Sequence, residues 1–221
     1  GLFYDLPVGF EEKCLEFINY FKPKLIELMQ LMTDNKIFVQ RTGGVGQIDL
    51  DLAINYGCSG PILRASGLRH DLRKVDGYSV YPELDFDIPI GEGKMGVVGD
   101  CWDRNDVRVQ ECFESVKIIE QCLTQLMGDH KRTRDFDPQS AVPKKILPKE
   151  MDFYVRAENP KGELGFFFRT TPNRDVPFRV KGRGPSFSNL SILPDISRGV
   201  LLADLIAIVG SLDFVMGEVD R

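Results

Sequence analysis

The residues best suited to chemistry lie at the end of the chain. Asp213, Glu218 and Asp220 fall within SLDFVMGEVDR, directly after the apolar run LLADLIAIVG, which itself carries Asp204. A carboxylate near a helix C-terminus is disfavoured by the helix dipole, so a cluster of them there calls for compensating cations or for protons held unusually tightly. Carboxylates of that kind in a closed space serve proton-coupled chemistry. The competing reading is of acids satisfied by ion pairs and solvent at an ordinary terminus. Asp204 lies on a helix whose Leu201, Leu202, Leu205, Ile206, Ile208 and Val209 cover most of the circumference. That helix is expected to be enclosed on several sides, and its carboxylate to need a cation.

Two basic features could answer the acids. GPILRASGLRHDLRK gathers Arg64, Arg69, His70, Arg73 and Lys74 in an otherwise acidic chain, and guanidinium forks suit carboxylates. A solvated basic face is the plainer alternative. Lys161 sits at the tip of NPKGE, where a lysine is usually just solvated. His70 and His130 are the only histidines and stand in no zinc spacing. Gly43, Gly44 and Gly46 lack the GK[ST] ending of a phosphate loop and read as turn chemistry.

The whole composition narrows the class. With 221 residues, 43% of them hydrophobic and 28% charged, the chain can bury a core and is ordinary for a globular protein. A formal charge of −5 argues against non-specific binding to nucleic acid or anionic lipid, both of which want a basic surface. Five cysteines, Cys14, Cys58, Cys101, Cys112 and Cys122, show no CxxC spacing; they read as reduced core residues on a cytosolic side. Glu11, Glu12 and Lys13 interrupt the first apolar stretch, so no signal peptide is expected. Val200–Val209 is too short to span a bilayer.

The elements that must position these groups follow from periodicity. Phe10, Cys14, Phe17, Phe21, Leu25, Leu28 and Met32 mark one face of a long helix, which Pro23 is expected to kink. A short helix is expected around Asp49 to Tyr56, then irregular structure with short strands over residues 78–100. Val109, Cys112, Val116, Ile119, Leu123 and Leu126 form a narrow helical stripe, with Asp100, Asp103 and Asp106 at its start. Residues 128–150 read as a linker or surface excursion. DFYVRAE and LGFFFRT flank a hairpin turn at Asn159 to Gly162, and PFRVKGR adds a third strand. Helices over Asn189 to Ser197, broken at Pro194, and from Gly199 to about Gly210 complete an α+β protein that is mostly α: a helical bundle with a small antiparallel sheet.

Longer strings say more than spacing. GPILRASGLRHDLRKVDGYSVYPELDFDIPIG, GDCWDRNDVRVQECFESVKIIEQCL, YVRAENPKGELGFFF and LLADLIAIVGSLDFVMGEVDR closely resemble the large core subunits of the quinone module of proton-pumping NADH:quinone oxidoreductase, respiratory complex I. That family is related to the nickel-iron hydrogenase large subunit. The resemblance runs over the whole chain and implies the hydrogenase-type bundle. Family members are about twice as long, so residues 1–221 are expected to form a single domain that is the C-terminal portion of a longer polypeptide. The quinone-headgroup histidine and tyrosine of the family would then precede Gly1.

The resemblance also gives the tail a role. Asp213 matches the aspartate of the hydrogenase C-terminal motif, whereas Val215 and Glu218 occupy the positions of its metal-binding cysteines. Thiolates suit that centre and valine carries no ligand atom, so no metal is expected here. Lys161, in NPKGELG, matches the lysine of the APKG motif of complex I, with Asn159 in place of the usual alanine. The implied reading is a quinone-reduction chamber in which Asp213, Glu218 and Lys161 are catalytic and Val215 and Arg64 line the wall. The chain itself binds no cofactor: ubiquinone or another quinone is substrate, while FMN, iron–sulfur clusters and NADH belong to partner subunits. Among these are the small cluster-bearing subunit and the membrane arm. Electron transfer would be coupled to proton translocation in a respiratory-chain translocase. The protein would be peripheral, on the cytoplasmic side of a bacterial inner membrane or the matrix side of the mitochondrial one. The alternatives are the same subunit type in a ferredoxin- or F420-linked or hydrogenase-like membrane complex, or a non-catalytic assembly scaffold.

Overall fold

The computed structural model describes residues 6–128 and 147–220. Its organising element is a long helix, α6 (Cys101–Gly128). Before it come α1 (Phe10–Leu28), α2 (Lys36–Thr42), α3 (Leu50–Asn55), α4 (Pro61–Ala65) and α5 (Leu72–Val75). After it come strands β1 (Asp152–Asn159), β2 (Gly162–Arg169) and β3 (Arg179–Arg183), then α7 (Pro185–Leu190), α8 (Leu193–Ile196), α9 (Leu202–Leu212) and α10 (Met216–Val219). The mostly helical α+β architecture expected from the sequence is present. The excursion expected at 128–150 falls largely on residues 129–146, outside the described residues.

α6 starts at Cys101, among the Asp100, Asp103 and Asp106 expected at its start and eight residues before its apolar stripe. Asp100 accepts the Asp103 N–H through Oδ1 at 2.8 Å and the Gly44 and Val97 N–H groups through Oδ2 at 2.7 and 3.0 Å. Asp103 in turn accepts from Gly93 and Gly99. Donors that a helix start leaves unpaired are thus satisfied, and the glycine-rich turn at 43–46 is held by a carboxylate of the chain itself.

On this spine α1 packs through Ile18, with Val116 and Leu123 opposite. α1 runs through Pro23, and its irregularity comes later, as a π-helical turn at Met29–Thr33. The main core gathers Ile48, Ala53, Ile62, Cys101, Ile192 and Ile208. Cys58 and Cys101 are core residues as expected, whereas Cys112 is exposed. No strand forms over residues 78–100, which hold one 3-10 turn at Tyr81–Glu83: Pro82, Pro89 and the glycines interrupt the ladder. Pro194 opens α8 instead of breaking a helix, a position where its missing N–H costs nothing.

The largest departure concerns α9. Only Ile208 and Leu212 are buried, while Leu201, Leu202 and Ile206 are 67–78% exposed. The helix lies on the core by one face. No helix among the described residues is long and apolar enough to cross a membrane.

Candidate functional site

The hairpin tip forms the first wall of the site. β1 and β2 pair antiparallel with Asn159 opposite Gly162, so Pro160 and Lys161 are the two turn residues. Asn159 Oδ1 accepts the Lys161 N–H at 3.1 Å, an asparagine turn that alanine at this position could not make. The tip then docks on the loop before α4. Asn189 Nδ2 donates to the Lys161 carbonyl at 3.0 Å and its Oδ1 accepts from Ser59 N–H at 3.1 Å, while Ser59 Oγ accepts from Glu163 N–H at 3.0 Å.

The docking is possible only because glycines meet. A Cβ on Gly60 would come within 2.4 Å of Gly162 Cα, and one on Gly162 within 2.5 Å of Ser59 Oγ and 2.7 Å of the Ser59 carbonyl carbon. Both residues also hold positive φ, +67° and +130°. We expect Gly162→Ala to destabilise the protein by about 1–3 kcal/mol through strain alone, read as a fall in thermal midpoint, and to displace Lys161 with the tip.

The second wall comes from the end of α9. Asp213 caps that helix in the left-handed conformation, φ 51° and ψ 44°, which aspartate tolerates better than most residues. This turn aims its carboxylate at the hairpin: Oδ2 forms an ion pair with Lys161 Nζ. Arg108 of α6 completes the trio, its Nε 3.3 Å from the same oxygen. The dipole penalty expected for Asp213 is therefore met by cations. Asp204 is likewise answered, by Arg41 at 2.9 Å.

Behind this trio lies a buried ion cluster. Arg64, 1% exposed, donates from Nε to Glu111 at 2.6 Å and from Nη1 to Glu158 at 2.8 Å. Asp71 stands 3.6 Å from the same guanidinium and takes Arg73 Nη2 at 2.6 Å. Burial opposes charge throughout. Against it, two carboxylates hold Arg64 above its usual pKa, and the two arginines hold Asp71 below its own. For Glu111, burial outweighs the pull of Arg64 and pushes the carboxyl up. Arg64 and Arg73 of the basic cluster thus bind internal carboxylates and not the tail acids, while Arg69 and Lys74 are exposed. Lys74 turns away, donating to the Leu84 carbonyl and lying 4.0 Å over the Phe86 ring.

Together these groups line a pocket of about 360 Å³. Lys161, Asp213 and Arg64, all singled out in the sequence, meet there beside Arg108, Glu111 and Tyr81. Glu218 and Val215 do not line it. Glu218 Oε2 accepts the Ser186 N–H at 3.1 Å, at the first turn of α7, and the Val215 N–H donates to Ser186 Oγ at 3.1 Å. Val215 is 43% exposed. Sequence reasoning missed Arg108, Glu111, Glu158 and Asn189. A signal for two of them exists: Arg104, Arg108, Glu111 and Ser115 step by four, three and four, a polar stripe beside the apolar one on α6.

The pocket presents four cations, Arg64, Arg73, Arg108 and Lys161, against the carboxylates of Glu111, Glu158 and Asp213. Such a lining suits a ligand that carries oxygen acceptors and gains negative charge. Among the described residues no cluster of three or more histidine, cysteine, aspartate or glutamate side chains could hold a metal ion.

Residues 1–221 match the family described as "Respiratory-chain NADH dehydrogenase, 49 Kd subunit". The chain is 72% identical over its whole length to a D-type subunit of the NADH-quinone oxidoreductase of Cytophaga hutchinsonii, covering 56% of that protein. It is 66% identical to the corresponding NADH-quinone oxidoreductase protein of Amoebophilus asiaticus and 56% identical to that of Chlorobium phaeovibrioides, covering 55% and 54% of them. The chain thus spans about half the length of the curated relatives it matches.

Proposed function

The chain belongs to the respiratory-chain NADH dehydrogenase 49 Kd subunit family, and from that premise we propose that it forms part of a quinone-reduction chamber in an NADH:quinone oxidoreductase. The observation that carries this reading is the Lys161–Asp213 ion pair at a polar pocket of about 360 Å³, flanked by Arg108. A quinone headgroup is a flat ring with two carbonyl oxygens. It takes two electrons and two protons to become a quinol, so negative charge builds on those oxygens before the protons arrive. A lysine ammonium held within reach of one oxygen stabilises that charge, provided it is not so exposed that water already does so. Lys161, partly buried and fixed by its docked turn, meets that condition.

Asp213 balances the charge of Lys161 before a ligand gains electrons and is the carboxylate paired with that lysine that can exchange a proton. Its position on a left-handed cap sets the carboxylate between hairpin and helix. Glu218 acts as a tether: its bond to the Ser186 amide holds the segment after Asp213 against α7, and the Val215 N–H bond to Ser186 Oγ adds to that hold. Arg64 forms part of the wall and fixes it, since its two carboxylate bonds hold Glu111 and Glu158. The electrons come from NADH through FMN and iron–sulfur clusters of partner subunits, and the assembled enzyme couples their passage to proton translocation. The protein associates peripherally with the membrane through those partners.

The test begins with intact membranes. Native complexes are resolved on a gel, stained for NADH dehydrogenase activity, and the active band searched for this polypeptide by mass spectrometry. We expect it in a very large NADH-active band. Recovery only from a smaller NADH-inactive species would assign it to a complex with another electron donor or to a scaffold.

A further inference from the structure

Arg108 is the least satisfied charged group of the site. Its Nη1 donates to the Arg104 carbonyl at 2.8 Å and its Nη2 to the Leu212 carbonyl at 3.4 Å. These bonds clamp the guanidinium between α6 and the last residue of α9, one position before Asp213. Its Nε is buried and has no hydrogen-bond partner among the described residues. The Asp213 oxygen 3.3 Å away is close enough for attraction but is not aligned to accept. A buried guanidinium N–H without an acceptor is uncommon, because it has lost water and gained nothing in return.

The reason is visible in the trio. Lys161 and Arg108 compete for the same carboxylate oxygen, and the lysine has it. The other charged groups facing Arg108 are Arg104, Arg64 and Glu111. Two of these are cations, and Glu111 is engaged by Arg64. Asp213 is therefore the anion that Arg108 can gain. A lysine cannot serve both Asp213 and a ligand oxygen at full strength, and leaving would strand the carboxylate in a partly buried site unless a second cation took it.

We infer that Arg108 is a positioning residue for Asp213, receiving the carboxylate when the Lys161 ammonium turns to a bound quinone. The inference rests on the reading of this pocket as part of the quinone chamber. A small movement of one carboxylate exchanges an aligned partner on the hairpin for an aligned partner on α6. The lysine is released as charge builds on the ligand, so Arg108 acts on the reduction step more than on binding.

The experiment uses the complete membrane enzyme, with quinone reduction normalised to NADH oxidation by an artificial acceptor in the same sample. Arg108→Gln is expected to lower kcat for quinone about tenfold while KM stays within about twofold. Arg108→Lys, which keeps a charge on a shorter stem, is expected to sit about two- to threefold below the parent. In an Asp213→Asn background the Arg108→Gln effect should shrink to less than about twofold, because a residue that acts through another loses its effect when the other is gone. Effects that multiply independently overturn the assignment, as does an unchanged kcat. Should Arg108→Gln fail to assemble, the same cycle is run with Arg108→Lys: a fall that vanishes in the Asp213→Asn background supports the inference, and no fall or one that persists overturns it. Lys161→Met and Asp213→Asn alone separate the two levels. If neither slows quinone reduction, the chamber reading fails; if both do and Arg108→Gln does not, only the role of Arg108 falls.

Discussion

Asparagine at position 213 should lower quinone reduction by the assembled enzyme about 100-fold, the scale on which a single positioned acid–base group acts, while NADH oxidation by an artificial acceptor stays within about twofold. The substitution is close to isosteric, and asparagine accepts the left-handed conformation that Asp213 holds at the end of α9. The cap and the backbone bonds around it should survive. What disappears is the charge. Lys161 and Arg108 would then face a neutral amide, two cations with no anion between them, and no group at that point could give up or take a proton as the ligand gains electrons. Steady-state kinetics with a soluble quinone decide the matter. Quinone kinetics equal to the parent's would remove Asp213 from the chemistry and leave it as a helix cap.

Removing Arg64 should act on stability instead. Arg64→Met keeps most of the side-chain volume yet leaves Glu111, Glu158 and Asp71 without the cation they share. The side chains of Arg64 and Asp71 are 2% and 1% exposed and that of Glu158 is 6% exposed, so water cannot replace the lost partner. Breaking a buried pair from one side costs about 3–5 kcal/mol, a large part of the stability of an ordinary domain. The expected outcome is poor accumulation of the protein in the enzyme, or a thermal midpoint several degrees lower where it assembles. A midpoint within about one degree of the parent would mean that Arg73 alone compensates the cluster.

The contrast between these two residues shows what local sequence can reveal. Lys161 is legible because a two-residue hairpin turn has a local signature, and NPKG carries it: the prolyl and glycyl neighbours fix the tip wherever the hairpin lies. Asp213 is legible as an acid needing compensation, since helix polarity depends only on the helix. Arg64 stands out in the sequence, but its role does not. Its burial depends on carboxylates contributed by α6 and β1, far along the chain, and no local pattern states that they converge. The enclosure expected of α9 fails for a related reason: an all-round apolar composition does not require burial on all sides, and this helix meets the core only through Ile208 and Leu212. Asn159 illustrates the reverse case. Against the resemblance it is a departure from alanine, yet it supplies the acceptor that closes the turn.

The contact between Gly60 and Gly162 bears on how this region can vary. The lysine owes its place to two stretches of backbone in touch, with no side chain between them. A saturation library across the hairpin should therefore give an uneven map. Positions whose side chains point to solvent, such as Val155 and Phe166, should accept most replacements, while the columns for Gly60 and Gly162 should be nearly empty, with even alanine depleted. Drift in this part of the molecule is confined by shape at two residues that take no part in any reaction.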